Sequence, residues 1–170
     1  MLEKSRQSRC LLFDWGDTLM RVLEYSGPMA SWPRVQAVPH VVEVLTGLHW
    51  QWLMALATNA ADSDQAEIRA ALGRVGLDAL LDKVYGFRTV GHRKPSPRFY
   101  EHIADDLHLD GTRLVMVGDD FEADVLGANQ AGLYAIWFND GSREELTGRW
   151  YRTIHDFRRL PAALDALLAT

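Results

Sequence analysis

Four polar clusters stand at the ends of short apolar runs, and their order along the chain is the most telling feature of the sequence. Asp14 follows Cys10-Leu11-Leu12-Phe13 and opens Asp14-Trp15-Gly16-Asp17-Thr18. Thr58-Asn59 closes Trp52-Leu53-Met54-Ala55-Leu56-Ala57, and Lys94-Pro95 follows the segment from Val84 to Gly91. Asp119-Asp120, with Asp124, closes Leu114-Val115-Met116-Val117-Gly118. An aspartate, a hydroxyl, a lysine and an acidic cluster are the parts needed to make and break a phosphoaspartyl bond on a metal ion. Each cluster alone has a plainer explanation. Asp14 could end a strand in a turn, Thr58-Asn59 could be the loop before a helix, Lys94 a surface lysine, and Asp119 a helix N-cap paired with Glu122. The plain explanations do not account for all four in this order.

The elements that must position these groups alternate. Runs rich in apolar and β-branched residues near 10–14, 52–57, 83–87, 113–118 and 133–138 read as strands, with helical patterns between them. This alternation predicts a three-layer α/β sandwich, Rossmann-like, with a mainly parallel sheet of about five strands. Helices are expected at 40–49 (Val41, Val44, Leu45, Leu48 on one face) and at 63–75 (Ala66, Ile68, Ala71, Leu72). Another should start at Ser96-Pro97, with Phe99, Ile103, Ala104 and Leu107 as its buried stripe. A helix over 121–131 should end at Gly132 in a left-handed cap. A short strand at 151–154 and a closing helix at 161–168 follow. In such sheets ligands bind beyond the carboxyl ends of the strands, which is where all four clusters fall. Residues 1–170 read as one domain, and residues 19–39 as an irregular flap or loop insert over the active site, least regular from Tyr25 to Pro39.

Composition narrows the partners. A net charge of -5 gives no electrostatic footprint for nucleic acid or an anionic membrane. No apolar run approaches the ~20 residues of a membrane span, and the run after the polar start is too short for a signal-peptide core. The one cysteine, Cys10, cannot form an internal disulfide and lies within an apolar strand, which points to a reducing compartment and a cytoplasmic protein. Trp50, Trp52 and Trp137 are expected in the core, and Trp15 in the core rather than beside the pocket. His92 and Arg93 read as a solvated basic loop.

The ordered set resembles the haloacid dehalogenase-like (HAD) hydrolases, most of which are Mg-dependent phosphatases. Asp14-Trp15-Gly16-Asp17-Thr18 is similar to the family's first motif, Thr58 to its second, Lys94 to its third, and Gly118-Asp119-Asp120-Phe121-Glu122-Ala123-Asp124 matches the GDxxxxD pattern of its fourth in full. A receiver domain uses a similar kit, but there the acidic pair comes near the N-terminus and the lysine comes last. The resemblance implies Asp14 as nucleophile, an aspartyl-phosphate intermediate that water then hydrolyses, and Mg2+ as cofactor. Mg2+ takes oxygen ligands in an octahedral shell. Asp14, the backbone carbonyl of Gly16, Asp119 and Asp124 are the implied metal residues, Asp124 either ligating directly or holding a metal-bound water. Thr58, the amide of Asn59 and Lys94 are the implied phosphate-binding groups. The implied partner is a phosphorylated substrate, with no nucleic acid or membrane.

The chain departs from the family at one point. Phosphatases of this type carry a second Asp two residues after the nucleophile, to protonate the leaving alcohol and later activate water, and here that position is Gly16. Asp17 stands one residue later. Asp17 could stand in through a changed turn, a water could do the job slowly, or the chain could be a weakly active or non-catalytic module that binds Mg2+ and phosphate. Loss of a general acid costs about 10^2 to 10^4-fold in rate. Only about forty residues separate Asp14 from Thr58, and Thr58 to Lys94 is equally short, so no large cap domain is expected. In this family such open sites suit bulky substrates, or small ones enclosed by a neighbouring copy in a homo-oligomer. Dehalogenase chemistry needs a closed apolar pocket, and phosphonate hydrolysis a cap lysine, so the resemblance favours neither.

Overall fold

A computed structural model describes residues 8–169. Its centre is a six-stranded, all-parallel sheet in the order β3-β2-β1-β4-β5-β6. The strands are β1 (Cys10–Phe13), β2 (Leu53–Ala57), β3 (Lys83–Tyr85), β4 (Leu114–Gly118), β5 (Tyr134–Phe138) and β6 (Tyr151–Ile154). The first five are the expected ones, and the short strand at 151–154 adds the sixth at the edge.

Side chains alternate across the strands and build two cores. Leu11, Phe13, Met54, Leu56, Val115, Val117 and Ile136 face one side, against α1 (Val41–Leu48), α2 (Gln65–Gly73) and α6 (Leu160–Leu168). Cys10, Leu12, Ala55, Met116 and Ala135 face the other, against α4 (Pro97–Leu107) and the helical segment after β4. Two neighbours on opposite sides of β1 give its strand-end residue, Phe13, the partners Leu56 and Val117. That register brings the residues that follow β1, β2 and β4 out at one edge.

Local signals explain most element boundaries. Asp64 and Glu67 form a reciprocal capping box that starts α2. Pro97 occupies the first turn of α4, where its missing N–H costs nothing, although the Ser96 side chain makes no capping bond. Three expectations need correction. β3 stops at Tyr85, and the β-favouring Phe87-Arg88-Thr89-Val90 instead makes a helical turn, α3 (Phe87–Val90), closed by the left-handed Gly91. The helix at 121–131 begins as a π-helical turn, Phe121–Leu126, before running into α5 (Gly127–Gln130). Trp50 is 71% exposed rather than in the core, while Trp52 and Trp137 are buried as expected.

The irregular segment after Thr18 is anchored to the body. Residues 19–21 pair with 36–38 through Val38 N–H to Leu19 O (2.9 Å) and Arg21 N–H to Gln36 O (2.8 Å). Trp32 is buried and donates to Gly27 O, and the Arg74 guanidinium at the end of α2 donates to the carbonyls of Ala30, Trp32 and Pro33. No described helix is long and apolar enough to cross a membrane.

Phe13→Ala, which deletes a fully buried ring from the central strand, should cost about 3–5 kcal/mol in urea unfolding. Trp50→Ala should stay within about 0.5 kcal/mol of the parent. A large loss at Trp50 would mean that its ring is covered in solution.

Candidate active site

The strand register collects the site at the carboxyl edge of the sheet. Asp14 leaves β1 with its N–H on Val117 O, Thr58 leaves β2 with its N–H on Tyr85 O, and Asp119 follows β4 directly. Lys94 comes from the loop after α3, and its side chain, 2% exposed, reaches between two carboxylates. Its ammonium lies 2.8 Å from Asp14 Oδ1 and 2.7 Å from Asp124 Oδ1.

Each group is held by a neighbour. The Asn59 side chain clamps the Lys94 backbone, donating to its carbonyl at 2.9 Å and accepting from its N–H at 2.8 Å. Thr18, fully buried, donates its hydroxyl to Asp119 Oδ1 at 3.0 Å and accepts from the Asp119 N–H at 3.1 Å. The Trp137 indole donates to Asp119 O at 2.9 Å. Asp124 Oδ2 accepts from the Asp120 N–H at 3.1 Å, so both oxygens of this buried carboxylate are engaged. The π-helical turn that carries Asp124 is steadied by the Tyr100 hydroxyl, 2.6 Å from Ala123 O; such turns recur at functional sites. Helix capping falls to Asp120, whose Oδ1 accepts from the Ala123 N–H, leaving Asp119 free for the site. Gly118 is required by contact: a Cβ there would lie 2.1 Å from Asp124 Oδ2.

Asp14, Asp119 and Asp124 each offer a carboxylate oxygen within 4.8 Å of the others. One ammonium against three carboxylates leaves two negative charges when all are ionised. Burial, then Asp14 beside it, pushes the Asp119 carboxyl up to about 7. Burial also pushes Asp124 up to about 6, against the pull of Lys94. Burial alone would lower Lys94, but Asp14 and Asp124 outweigh it and hold the lysine above its ordinary range. A compact set of hard oxygen donors carrying an uncompensated double negative charge fits a divalent hard cation such as Mg2+. Asp14 and Asp119 are the residues best disposed to ligate it, because Asp124 is committed to Lys94 and the Asp120 amide.

The structure therefore brings together Asp14, Lys94, Asp119 and Asp124, with Asn59 behind Lys94 and the buried Thr58 at the neighbouring strand end, its Oγ1 accepting from the Ala60 N–H. Asp17 is not brought in. It sits in the left-handed region at φ 55°, and its Oδ1 accepts from the Val22 N–H at 3.1 Å, a turn residue satisfying its own loop. The sequence reading gave no site role to Thr18 or Tyr100 and expected Trp137 only in the core. Thr18 had a signal, its place in the first motif, whereas the other two bond only to backbone carbonyls distant in sequence.

The comparisons with known proteins place the chain in a family. The family model for haloacid dehalogenase-like hydrolases matches residues 16–132, a span that holds Thr58, Lys94, Asp119 and Asp124 and begins just after Asp14. The chain belongs to the haloacid dehalogenase-like hydrolase family. It is 33% identical to the ribulose-1,5-bisphosphate 5-phosphatase of Halopiger xanaduensis over 111 residues, 65% of this chain and 45% of that protein. It is 31% identical to mouse N-acylneuraminate-9-phosphatase over 131 residues, 75% of this chain and 51% of that one. The chain thus spans about half the length of these curated relatives. Among solved structures, an uncharacterized protein from Listeria monocytogenes serotype 4b superposes with a TM-score of 0.83 at 26% identity, covering 95% of this chain and 99% of that one.

The raised carboxyls set a pH dependence. Their folded values lie above the ordinary carboxylate range, so the stability they contribute is complete below about pH 4 and is lost as pH rises through about 6 to 7. Asp119→Asn should therefore raise the Tm of the metal-free protein at about pH 8 and cancel the rise in Tm that Mg2+ gives the parent. Thermal melts with and without Mg2+ check both; an unchanged Mg2+ response would remove Asp119 from the metal site.

Proposed function

We propose that the protein is a Mg2+-dependent phosphomonoester hydrolase working through Asp14. The observation that carries this reading is the Lys94 ammonium between Asp14 and Asp124, beside an Asp119 carboxylate whose charge nothing else balances. Bound Mg2+ would supply the positive charge that lets a phosphate dianion approach a carboxylate. The remaining work falls to the chain's own groups.

Lys94 holds Asp14 in one orientation and adds charge where negative charge gathers on the phosphoryl oxygens. The Thr58 hydroxyl and the Asn59 amide donate to those oxygens. An Asp14 oxygen bonds to phosphorus as the bond to the leaving oxygen breaks. Water then attacks phosphorus, the Asp14–phosphorus link breaks, and phosphate departs. Asp124 acts through Lys94 and the Asp120 amide, and would help hold Mg2+ beside Asp14 and Asp119. The relatives named above are called phosphatases of two different sugar phosphates, so they support a phosphomonoester without choosing one. A cytoplasmic setting is supported by Cys10, a buried free thiol.

Purified protein should hydrolyse an aryl phosphate only with Mg2+, and Asp14→Asn should bring the rate to background, measured as phosphate release. Asp17→Asn should change it by less than about threefold, because Asn also tolerates the left-handed region and keeps an acceptor for Val22. Turnover in Asp14→Asn would sink the mechanism. Mg2+ binding without any turnover in the parent would make the chain a binding module, the reading that Gly16 favours.

A further inference from the structure

We propose, building on the phosphomonoester reading of the site, that Arg88 and Arg93 form a subsite for a second anionic group, so that the substrate is a small phosphate ester carrying another phosphate or a carboxylate a short carbon chain away. The chain has a net charge of -5, yet residues 83–100 hold five lysines and arginines and no carboxylate. This stretch runs from β3 through α3 into α4, and it delivers Lys94 to the site. Two of the five cations are already committed: Lys83 pairs with Asp106, and Lys94 lies between Asp14 and Asp124. Arg88, Arg93 and Arg98 are exposed, and none of them pairs with a described carboxylate.

Two of these three arginines are held in place. Arg88 Nε donates to Ala61 O at 2.9 Å, which leaves both of its Nη groups without a partner among the described residues. Ala61 lies two residues beyond Asn59, whose side chain clamps the Lys94 backbone and whose amide donates to the phosphoryl oxygens in the reading above. Two residues span at most about 7 Å, so the Arg88 guanidinium lies within about 10 Å of that amide. Arg93 stacks its guanidinium on Phe87, the neighbour of Arg88 in α3, with Cζ 4.3 Å from the ring centroid. Gly91, left-handed at φ 77°, turns the chain back after α3 so that Arg93 reaches this ring. The Arg93 carbonyl accepts from the Ser96 N–H at 2.9 Å, and Lys94 beside it is fixed by Asn59. Stacking covers one face of a guanidinium and leaves its N–H edge free to fork onto an oxyanion. A basic loop that is solvated, as expected, is thus also preorganised, which lowers the cost of ordering it around a ligand.

The charge balance assigns these two groups to a second anion rather than to the reacting phosphate. A divalent cation meets the two uncompensated charges of the carboxylates, and Lys94 serves the phosphoryl oxygens from inside the site. A substrate with one phosphate leaves both arginines in water. A second phosphate or carboxylate brings charge that neither the cation nor Lys94 can reach, and guanidinium groups match its planar or tetrahedral oxygens in pairs. Asp62, the carboxylate closest to Ala61 in sequence, accepts from the Ser63 hydroxyl and pairs with neither arginine.

The test compares kcat/KM for fructose 1,6-bisphosphate with the sum of the values for fructose 1-phosphate and fructose 6-phosphate, and kcat/KM for 3-phosphoglycerate with that for glycerol 3-phosphate, with Mg2+ at low salt. The parent should favour the doubly anionic member of at least one set by about tenfold or more, and that set identifies the second group as phosphate or carboxylate. Arg88→Gln and Arg93→Gln should each cut the preference by about threefold or more, chiefly through KM. Arg149→Gln should leave it unchanged, because it removes the same charge from a guanidinium that lies over Trp150 at the opposite, amino edge of the sheet. No preference in the parent, or one that survives both variants or falls equally in Arg149→Gln, would overturn the subsite, while turnover of the monophosphates would uphold the hydrolase reading. If no ester turns over, that reading fails and calorimetry decides the subsite alone. Tighter binding of the bisphosphate than of either monophosphate, lost in Arg88→Gln, would uphold it, and equal binding would overturn it.

Discussion

The buried Lys94 ammonium is the constraint on which the rest of the site depends. Moving an ammonium out of water costs several kcal/mol, and only close, well-directed opposite charges offset that cost. Lys94 meets the requirement with two carboxylates at 2.7 and 2.8 Å, one from the end of β1 and one from the π-helical turn after β4. Its backbone is fixed from the end of β2 by Asn59. One residue therefore couples three strand ends, and removing its ammonium would leave the buried Asp124 carboxylate without a cation. Among the described residues no buried side-chain nitrogen or oxygen lacks a hydrogen-bond partner, as a preorganised polar centre requires.

The same ion pairing decides how the acidic residues divide their work. Lys94 neutralises Asp124 and part of the charge on Asp14, so the uncompensated charge collects at Asp14 and Asp119, where burial and mutual repulsion already push the Asp119 carboxyl up. A cation or a proton must relieve it. Thr18 holds Asp119 on both its amide and its carboxylate, so that relief comes without Asp119 turning away. Asp124, equally acidic in the sequence, is held by Lys94 and the Asp120 amide, and a side chain at Gly118 would collide with it.

How far the sequence foretold this depended on the range of the interaction. The sheet was readable because parallel strands buried on both faces leave unbroken apolar runs, as in Leu11 to Phe13 and Val115 to Val117. The clusters were readable because open sheets gather strand ends on one edge, so linear order reports spatial proximity. Thr18 and Asp119, 101 residues apart, are joined by a hydrogen bond that no local pattern announces. Asn59 was read for its amide, while its side chain turned out to grip the Lys94 backbone. The π-helical turn escaped notice because Val125 and Ala128 bury equally well from a π or an α turn. Trp50 was misplaced because a large ring beside apolar residues looks buried until the end of α1 is known to face outward.

The exchange at Gly16 shows why a motif cannot be judged one position at a time. A glycine in place of an acid would ordinarily leave a small hydrated gap, and water could carry protons across it. The residue beside it is Val22, whose place is set by the bond from its N–H to Asp17 and by the pairing of Gly16 with Met20. The Trp15 carbonyl draws in the amides of Leu19 and Met20 at 3.0 and 3.1 Å, so the turn is tightly wound. Within such a turn Asp17 cannot swing its carboxylate toward Asp14 without giving up the Val22 amide. The shape of this turn is therefore set by Gly16, Asp17 and Val22 together, and a side chain at position 16 would require the exposed Val22 side chain to shift.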